Sequence, residues 1–399
     1  MKIKYSKQID NKIYDTRSII NRYAPVSAEL TNLINFYSVG PKNQAEVDNL
    51  FKIAEDIKEE IIKTNKKILK NYVEHFEVEN IVLEEILDRT ISEIMSGYKQ
   101  EEYESFSDIV WLHSKLFITD IINENPYLKN ISFKDKKIDT FDIEYEKYNA
   151  FELFMYDTPA VVDNIIIPRI GCFDKDFVYP LLRIKGSNHV WMSITPNEIT
   201  TMQKPIEEAK GNVLTLGCGL GYFAYMASLK DCVKTVTIIE KDKNVIDMFN
   251  EIILPQFENK NKIVVIEADA IEYMRNLEDA KFDYCFADIW YGADDIETYF
   301  KIKETSKKFK KMKMSYWIED TFLLILKDYV WNEIYKECNP AAFMNMHFLL
   351  SSLNGDSGRK QKYIIKLLEN EYITCPQSID RLLDINILLK LINETNIIY

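Results

Sequence analysis

The chain has 399 residues, 47% of them hydrophobic, enough to fill the cores of two or three domains. Asp and Glu (63) outnumber Lys and Arg (50), and the formal charge of −13 argues against a nucleic-acid partner and against an anionic membrane surface. No apolar run reaches bilayer length, and the first residues lack the apolar stretch of a signal peptide; six scattered cysteines without a CxxC pair and four histidines fit a reduced cytoplasm without structural zinc.

Residues 1–150 read as a helical domain. Val47, Leu50, Ala54, Ile57, Ile61 and Ile68 recur at helical spacing with Lys and Glu between them, the pattern of an amphipathic helix. A second stripe covers Ile81–Met95 and is closed by Gly97. A third covers Phe106–Ile122 and stops before Asn125-Pro126. These stripes are expected to face a core. A dimerising coiled coil is disfavoured because the heptad does not persist for four repeats, while a homodimer stays open.

Residues 151–210 form a small β-rich segment with a linking helix. Val161–Ile167, Phe177–Ile184 and His189–Ser193 are rich in β-branched and aromatic residues, punctuated by Pro168, Gly171 and Lys185-Gly186-Ser187-Asn188. They predict a small antiparallel sheet or hairpin. Thr195-Pro196-Asn197-Glu198 then opens a helix to about Ala209, a capping residue followed by proline at the first helical position.

From residue 211 to 318, short apolar strands alternate with helices. The strands are Val213–Leu216, Thr235–Ile239, Lys262–Ile266, Tyr284–Ala287 and Lys313–Ile318. The helices are Phe223–Lys230, Lys243–Ile253, Ala270–Asn276 and Ile296–Lys308. Such alternation implies an α/β fold with a doubly wound parallel sheet, a Rossmann-like core assigned to residues 211–350. Residues 351–399 read as a C-terminal helical extension.

The chain has only 11 glycines, and three of them, Gly217, Gly219 and Gly221, alternate at the end of Val213–Leu216. Glycine is costly to order, so the cluster calls for a strand turning sharply into a helix, with bare backbone meeting a ligand at the helix N-terminus. Three acids follow at successive strand ends: Glu240, Asp269 and Asp288. In an open α/β sheet these ends converge on one crevice. Glu240 lies about 20 residues beyond Gly219, the spacing of a carboxylate that accepts from ribose hydroxyls. Asp269 is placed to accept from an adenine amine, and Asp288 to face the reactive end of the ligand.

In order, Leu-Gly-Cys-Gly-Leu-Gly, Glu240, Ala268-Asp269-Ala270 and Phe-Asp-Tyr-Cys-Phe-Ala-Asp288 resemble the successive motifs of class I S-adenosylmethionine-dependent methyltransferases. The resemblance covers about residues 211–292. It implies S-adenosylmethionine as cofactor, held by Leu216, Gly217, Cys218, Gly219, Gly221, Tyr222, Glu240, Lys241, Asp269, Ala270 and Asp288. It also implies methyl transfer to an amine or hydroxyl of a small molecule. Asp288 would orient or deprotonate that nucleophile, and Tyr291 with Trp290 would wall a cationic centre. The acid usual two places before the first loop glycine is here Thr215.

The β-rich segment and helix ahead of the glycine strand also give a layout similar to spermidine synthases, which transfer aminopropyl groups from decarboxylated S-adenosylmethionine. Here the Gly-Gly-Gly-Asp-Gly-Gly loop of that branch is Gly-Cys-Gly-Leu-Gly-Tyr, and its Asp-Ser/Thr-x-Asp-Pro segment is Asp288-Ile-Trp-Tyr-Gly. Asp294 and Asp295 follow, so an acidic site for an amine is retained.

Other readings of the same residues remain. Gly219-Leu-Gly-Tyr-Phe-Ala224 also matches the GxGxxA of an NAD site, and a fold without turnover would bind nucleoside alone. Cys218 reads as a small loop filler, since no activating base lies near it in sequence. His189 reads as a hairpin residue satisfied locally, and the run Lys301–Lys313 as a solvated face and loop.

Overall fold

The computed structural model describes residues 1–64, 77–133, 140–187, 190–293, 295–339 and 357–395. Ile68, Asn188, His189 and Asp294, singled out above, lie outside the described residues. Two residues, Lys2–Ile3 (β1), precede a 30-residue helix, Lys7–Phe36 (α1). Three further helices follow: Gln44–Thr64 (α2), Val78–Ile94 (α3) and Gln100–Leu112 (α4). Ile81, Val82, Ile86 and Ile91 of α3 pack with Leu50 and Ala54 of α2, with Phe106 and Val110 of α4, and with Val26, Leu30 and Ile34 from the second half of α1. The stripes read from sequence are core-facing.

The expected helix Phe106–Ile122 is not continuous. It ends at Leu112, and Lys115–Phe117 (β2) pairs in parallel with a strand of the β layer before two short helices, Thr119–Ile122 (α5) and Pro126–Asn130 (α6). The reason is aromatic burial. Phe117 enters a cluster with Phe154, Phe173, Phe177 and Tyr179, which a continuing helix would have left incomplete.

The β layer is larger than a hairpin. It comprises Phe141–Tyr148 (β3), Phe154–Val162 (β4), Ile165–Phe173 (β5), Phe177–Ile184 (β6) and Val190–Ser193 (β7). They form two three-stranded sheets, β2-β5-β4 and β3-β6-β7. The apolar run Val161–Ile167 is not one strand. Asp163 and Asn164 adopt φ of 47° and 68°, a left-handed pair that closes a tight hairpin between β4 and β5.

Pro196–Glu208 (α7) leads into the core, which follows the sequence reading closely. Gly211–Leu216 (β8), Tyr222–Ser228 (α8), Val233–Glu240 (β9), Lys243–Met248 (α9), Ile263–Glu267 (β10), Ala270–Asn276 (α10), Tyr284–Ala287 (β11), Ile296–Ser306 (α11) and Lys313–Tyr316 (β12) alternate. The helix expected to run to Ile253 changes at Phe249 into a π-helical turn. Among the described residues the sheet has the order β10-β9-β8-β11-β12 with every pairing parallel.

Side chains alternate across this sheet, and both faces are covered. Leu214, Leu216, Ile239, Cys285 and Ala287 face one core, whereas Val213, Val236, Ile238, Tyr284 and Phe286 face the other. The remaining elements among the described residues are Glu319–Cys338 (α12), Ser357–Leu367 (α13), Tyr372–Ile373 (β13), Pro376–Leu382 (α14) and Ile385–Glu394 (α15). They cover the first face, and β13 pairs in parallel with β1. Ile9 and Ile13 of α1 join that core, so one helix contributes to two hydrophobic cores.

No helix among the described residues is long and apolar enough to cross a membrane.

Candidate active site

The parallel ladder continues one residue past each strand, which aligns the functional residues along one edge. Gly217 N donates to Ile239 O (2.8 Å), Ala268 N to Glu240 O (2.9 Å), Asp288 N to Leu216 O (2.9 Å) and Trp317 N to Ala287 O (2.9 Å). A cleft of about 380 Å³ lies over this edge, lined by Gly217–Leu220, Glu240, Lys241, Ala268–Ile271, Asp288–Tyr291 and Trp317, together with Trp191–Ile194, Glu198 and Met202.

The loop glycines have separate duties. Gly217 (φ 95°) passes so close to β11 that a Cβ there would sit 2.0 Å from the Asp288 carbonyl oxygen. Gly219 (φ 54°) lines the cleft, and a Cβ there would meet nothing within 4 Å. Its bare backbone therefore borders the cleft directly. The loop is held from behind by α6: the buried Tyr127 hydroxyl donates to Leu220 O, and Asn125 Nδ2 donates to the Tyr222 hydroxyl at 2.9 Å.

Glu240 ends β9 with its carboxylate fixed by three backbone donors. Cys218 N reaches Oε2 at 3.1 Å; Lys241 N and Asp242 N reach Oε1 at 2.7 and 2.8 Å. Its orientation is set without a ligand, and the carboxylate retains lone pairs for hydroxyl donors. Asp269 caps α10, its Oδ1 accepting from Glu272 N at 2.9 Å, and remains exposed beside Ala270 on the cleft wall. Cys218, Tyr222 and Lys241 also line the cleft. Leu216 and Gly221 do not: the Leu216 side chain is buried in the core and its carbonyl holds Asp288, while Gly221 (φ 75°) lies against Phe249, where a Cβ would come within 2.6 Å of the ring.

Asp288 emerges from β11 into the middle of this edge. Burial pushes its carboxyl up to about 8, and the negative charges of Glu198 and Glu240 add to the effect. Glu198 is pushed up to about 7, again by burial, against the opposing hydrogen bonds from Thr195 and Ser193.

Trp290 and Tyr291 do not form one wall. Trp290 is 5% exposed and packs edge-on against Tyr299 and Phe322 in the core, so only part of it borders the cleft. Tyr291 is 69% exposed at the mouth, where its ring meets Trp191 edge to face at 5.5 Å. The aromatic pair lining the cleft is thus Trp191 with Tyr291. Trp317, tied through Nε1 to Thr201 Oγ1 at 2.8 Å, closes the far side.

Sequence reasoning missed two residues here. Glu198 was visible only as the helix cap of α7, and Trp317 only as the tail of a strand. The signal that finds both is topological: α7 immediately precedes the glycine strand, and Trp317 follows the last strand of the edge. The basic run is structural where it is buried, Lys303 pairing with Glu319 at 2.6 Å. All six cysteines are free.

Residues 194–349 match the family model of the spermine/spermidine synthase domain. No curated protein matches the chain in sequence. Among solved structures, the spermidine synthase of Thermotoga maritima aligns at 15% identity over 38% of this chain and 58% of its own, with a TM-score of 0.28. A spermidine synthase bound to the transition-state analogue AdoDATO aligns at 14% identity over 38% and 58%, with a TM-score of 0.26. A protein described as a caffeoyl-CoA O-methyltransferase from Staphylococcus aureus aligns at 23% identity over 29% and 51%, with a TM-score of 0.22. The chain therefore spans about half to three-fifths of each of these three proteins. The core has a class I methyltransferase-like Rossmann fold related to the spermidine synthase branch.

Proposed function

We propose that the protein is a transferase that moves an aminopropyl group from decarboxylated S-adenosylmethionine to an amine. The observation that carries this reading is the excess of carboxyl groups over basic residues in the cleft. Its described lining holds Glu198, Glu240, Asp269, Asp288 and Asp295, against Lys241 as the one basic residue. S-adenosylmethionine carries a carboxylate on its methionine tail, whereas the decarboxylated donor carries a sulfonium and an ammonium with no carboxylate. An acceptor amine is also a cation at neutral pH. An acidic, partly desolvated cleft favours such ligands, because field lines of one sign are focused there. The match of residues 194–349 to the spermine/spermidine synthase domain supports the same choice. It also displaces methyl transfer, the first expectation from sequence, to second place.

In this reading Gly219 and the loop backbone cradle the nucleoside, Glu240 accepts from the ribose hydroxyls, and Asp269 with Ala270 borders the adenine. The acceptor nitrogen attacks the propyl carbon bonded to sulfur. The N–C bond forms, the C–S bond breaks with its electron pair retained by sulfur, and 5′-methylthioadenosine leaves. Asp288 takes a proton from the acceptor ammonium before the attack, which frees the nitrogen lone pair, and the product leaves as a secondary ammonium. With its carboxyl near 8, Asp288 holds a proton at neutral pH. A neighbouring sulfonium or ammonium favours the ionised form, so the base is produced by the charge it serves.

Methyl transfer remains the second reading, favoured by the differences at Leu220 and at Asp288–Gly292 from the spermidine synthase motifs. The two are separated by the nucleoside released when the protein is incubated with each donor and a panel of diamines and other small amines. 5′-Methylthioadenosine from the decarboxylated donor supports aminopropyl transfer. S-adenosylhomocysteine from S-adenosylmethionine would replace it with methyl transfer.

A further inference from the structure

Leu220 stands in the glycine loop at the place of the acid in Gly-Gly-Gly-Asp-Gly-Gly. Its side chain is 3% exposed and packed in the core with Tyr127 and Phe223, so the loop brings no carboxylate to the cleft. A different element does. Glu198, in the first turn of α7, lines the same cleft.

Three hydrogen bonds converge on Glu198 Oε2, from Thr195 N (2.8 Å), Ser193 Oγ (3.0 Å) and Thr195 Oγ1 (3.3 Å), and none of the three engages Oε1. The reciprocal bond, Glu198 N to Thr195 Oγ1, completes a capping box. The carboxylate is therefore held in place by the start of its own helix before any ligand arrives, the condition for binding without loss of side-chain freedom. Its charge acts on Asp288, which also feels Glu240. Further along α7, Thr201 is tied to Trp317 beyond β12, so Glu198 approaches from the β11–β12 side while Glu240 stands on β9. The one basic residue of the described lining, Lys241, adjoins Glu240 and is exposed.

We propose that Glu198 is a ligand-binding residue, seating an alkylammonium group on the β11–β12 side of the cleft and supplying from α7 the negative charge that Leu220 removes from the loop. This rests on the aminopropyl-transfer reading, in which two ligands bring such a group: the propyl tail of the donor and the acceptor amine.

Glu198→Gln tests it, because glutamine at the same helix position preserves the capping box while removing the charge. Wild type and E198Q are titrated calorimetrically with 5′-methylthioadenosine, which has no ammonium, and with decarboxylated S-adenosylmethionine. 1,4-Diaminobutane is titrated in the presence of methylthioadenosine. The expected result is methylthioadenosine affinity within twofold of wild type and at least a tenfold loss for one cation. Loss of the donor places its tail at Glu198; loss of the diamine places the acceptor there. Equal affinity of both proteins for both cations overturns the assignment, as does an equal loss for all three ligands, which would mark Glu198 as merely structural. The parent reading is judged on wild type alone. If wild type takes S-adenosylmethionine and refuses the decarboxylated donor, aminopropyl transfer falls, and the same comparison with S-adenosylmethionine, which also bears an ammonium, still decides Glu198. If wild type binds no nucleoside, both fall.

Discussion

Alanine at Gly217 and at Gly219 should have opposite consequences, although the two glycines are neighbours in one loop. Both have positive φ, 95° and 54°, so each alanine carries a conformational cost of roughly 1–2 kcal/mol. At Gly219 that is the whole cost to the empty protein, since the new methyl meets nothing within 4 Å. It does occupy the floor of the cleft where ligand and bare backbone would meet, so nucleoside affinity should fall at least tenfold, about 1.4 kcal/mol. At Gly217 the methyl would sit 2.0 Å from a backbone oxygen of the adjoining strand, and backbone cannot swing away as a side-chain tip can. Prising β8 from β11 adds overpacking of about 1–3 kcal/mol, for a total of roughly 2–5 kcal/mol. Urea unfolding of the empty proteins measures the stability arm, and calorimetric titration with 5′-methylthioadenosine measures the binding arm. G219A binding with wild-type affinity would remove the loop as the nucleoside cradle. G217A with wild-type stability would show that the strand ends do not approach as described.

Asp288→Asn should lower kcat about 10²–10⁴-fold with the KM for the donor changed only a few-fold, as loss of a general base does; wild-type turnover would remove Asp288 from the chemistry. The pH dependence of stability should be unusual. Asp288 and Glu198 are raised to about 8 and about 7, so each binds more protons folded than unfolded across the range between an ordinary carboxylate and those values. Their contribution to stability is full below about pH 4 and lost as pH rises through about 7 to 8, and affinity for a cationic ligand should rise over the same interval. Urea midpoints at pH 5 and pH 8.5 check this; a D288N slope identical to wild type would contradict it. Lys303→Met should destabilise by roughly 3 kcal/mol, because it strips Glu319 of its ion pair and leaves the acid bonded to the Tyr299 hydroxyl alone. Thermal melts of K303M within a degree of wild type would return the whole basic run to the surface.

The core strands were legible because each is a short apolar run followed at once by a residue that cannot continue it, as with Leu216 before Gly217 or Ala287 before Asp288. The acids at those ends were legible for the same reason. α1 was not. Its buried residues fall in two sets, Ile9-Ile13-Thr16 and Val26-Ser27-Leu30-Ile34, separated by a stretch with no fully buried residue that includes Pro25. Each set serves a different core, so no single stripe runs along the helix. The β4–β5 hairpin was read through because Asp163-Asn164 makes its turn without glycine inside an otherwise apolar run. Glu198 was hidden for a different reason. A cap and a ligand-facing carboxylate use the same atoms, and sequence spacing reveals only the cap.

The pairing of Lys2–Ile3 with Tyr372–Ile373 bears on the order in which the protein is made. As the chain leaves the ribosome, the first half of α1 emerges long before the helices against which Ile9 and Ile13 pack, while its second half already has α2 and α3 to meet. Lys12 must likewise wait for Asp380, and the Tyr5 hydroxyl for the Glu337 carbonyl. β1 and the first half of α1 thus find their native contacts only after the segments around Glu337, Tyr372 and Asp380 have been made. A nascent chain halted shortly after β12 would hold the complete five-stranded edge beside a first helix with one half docked and the other exposed to solvent.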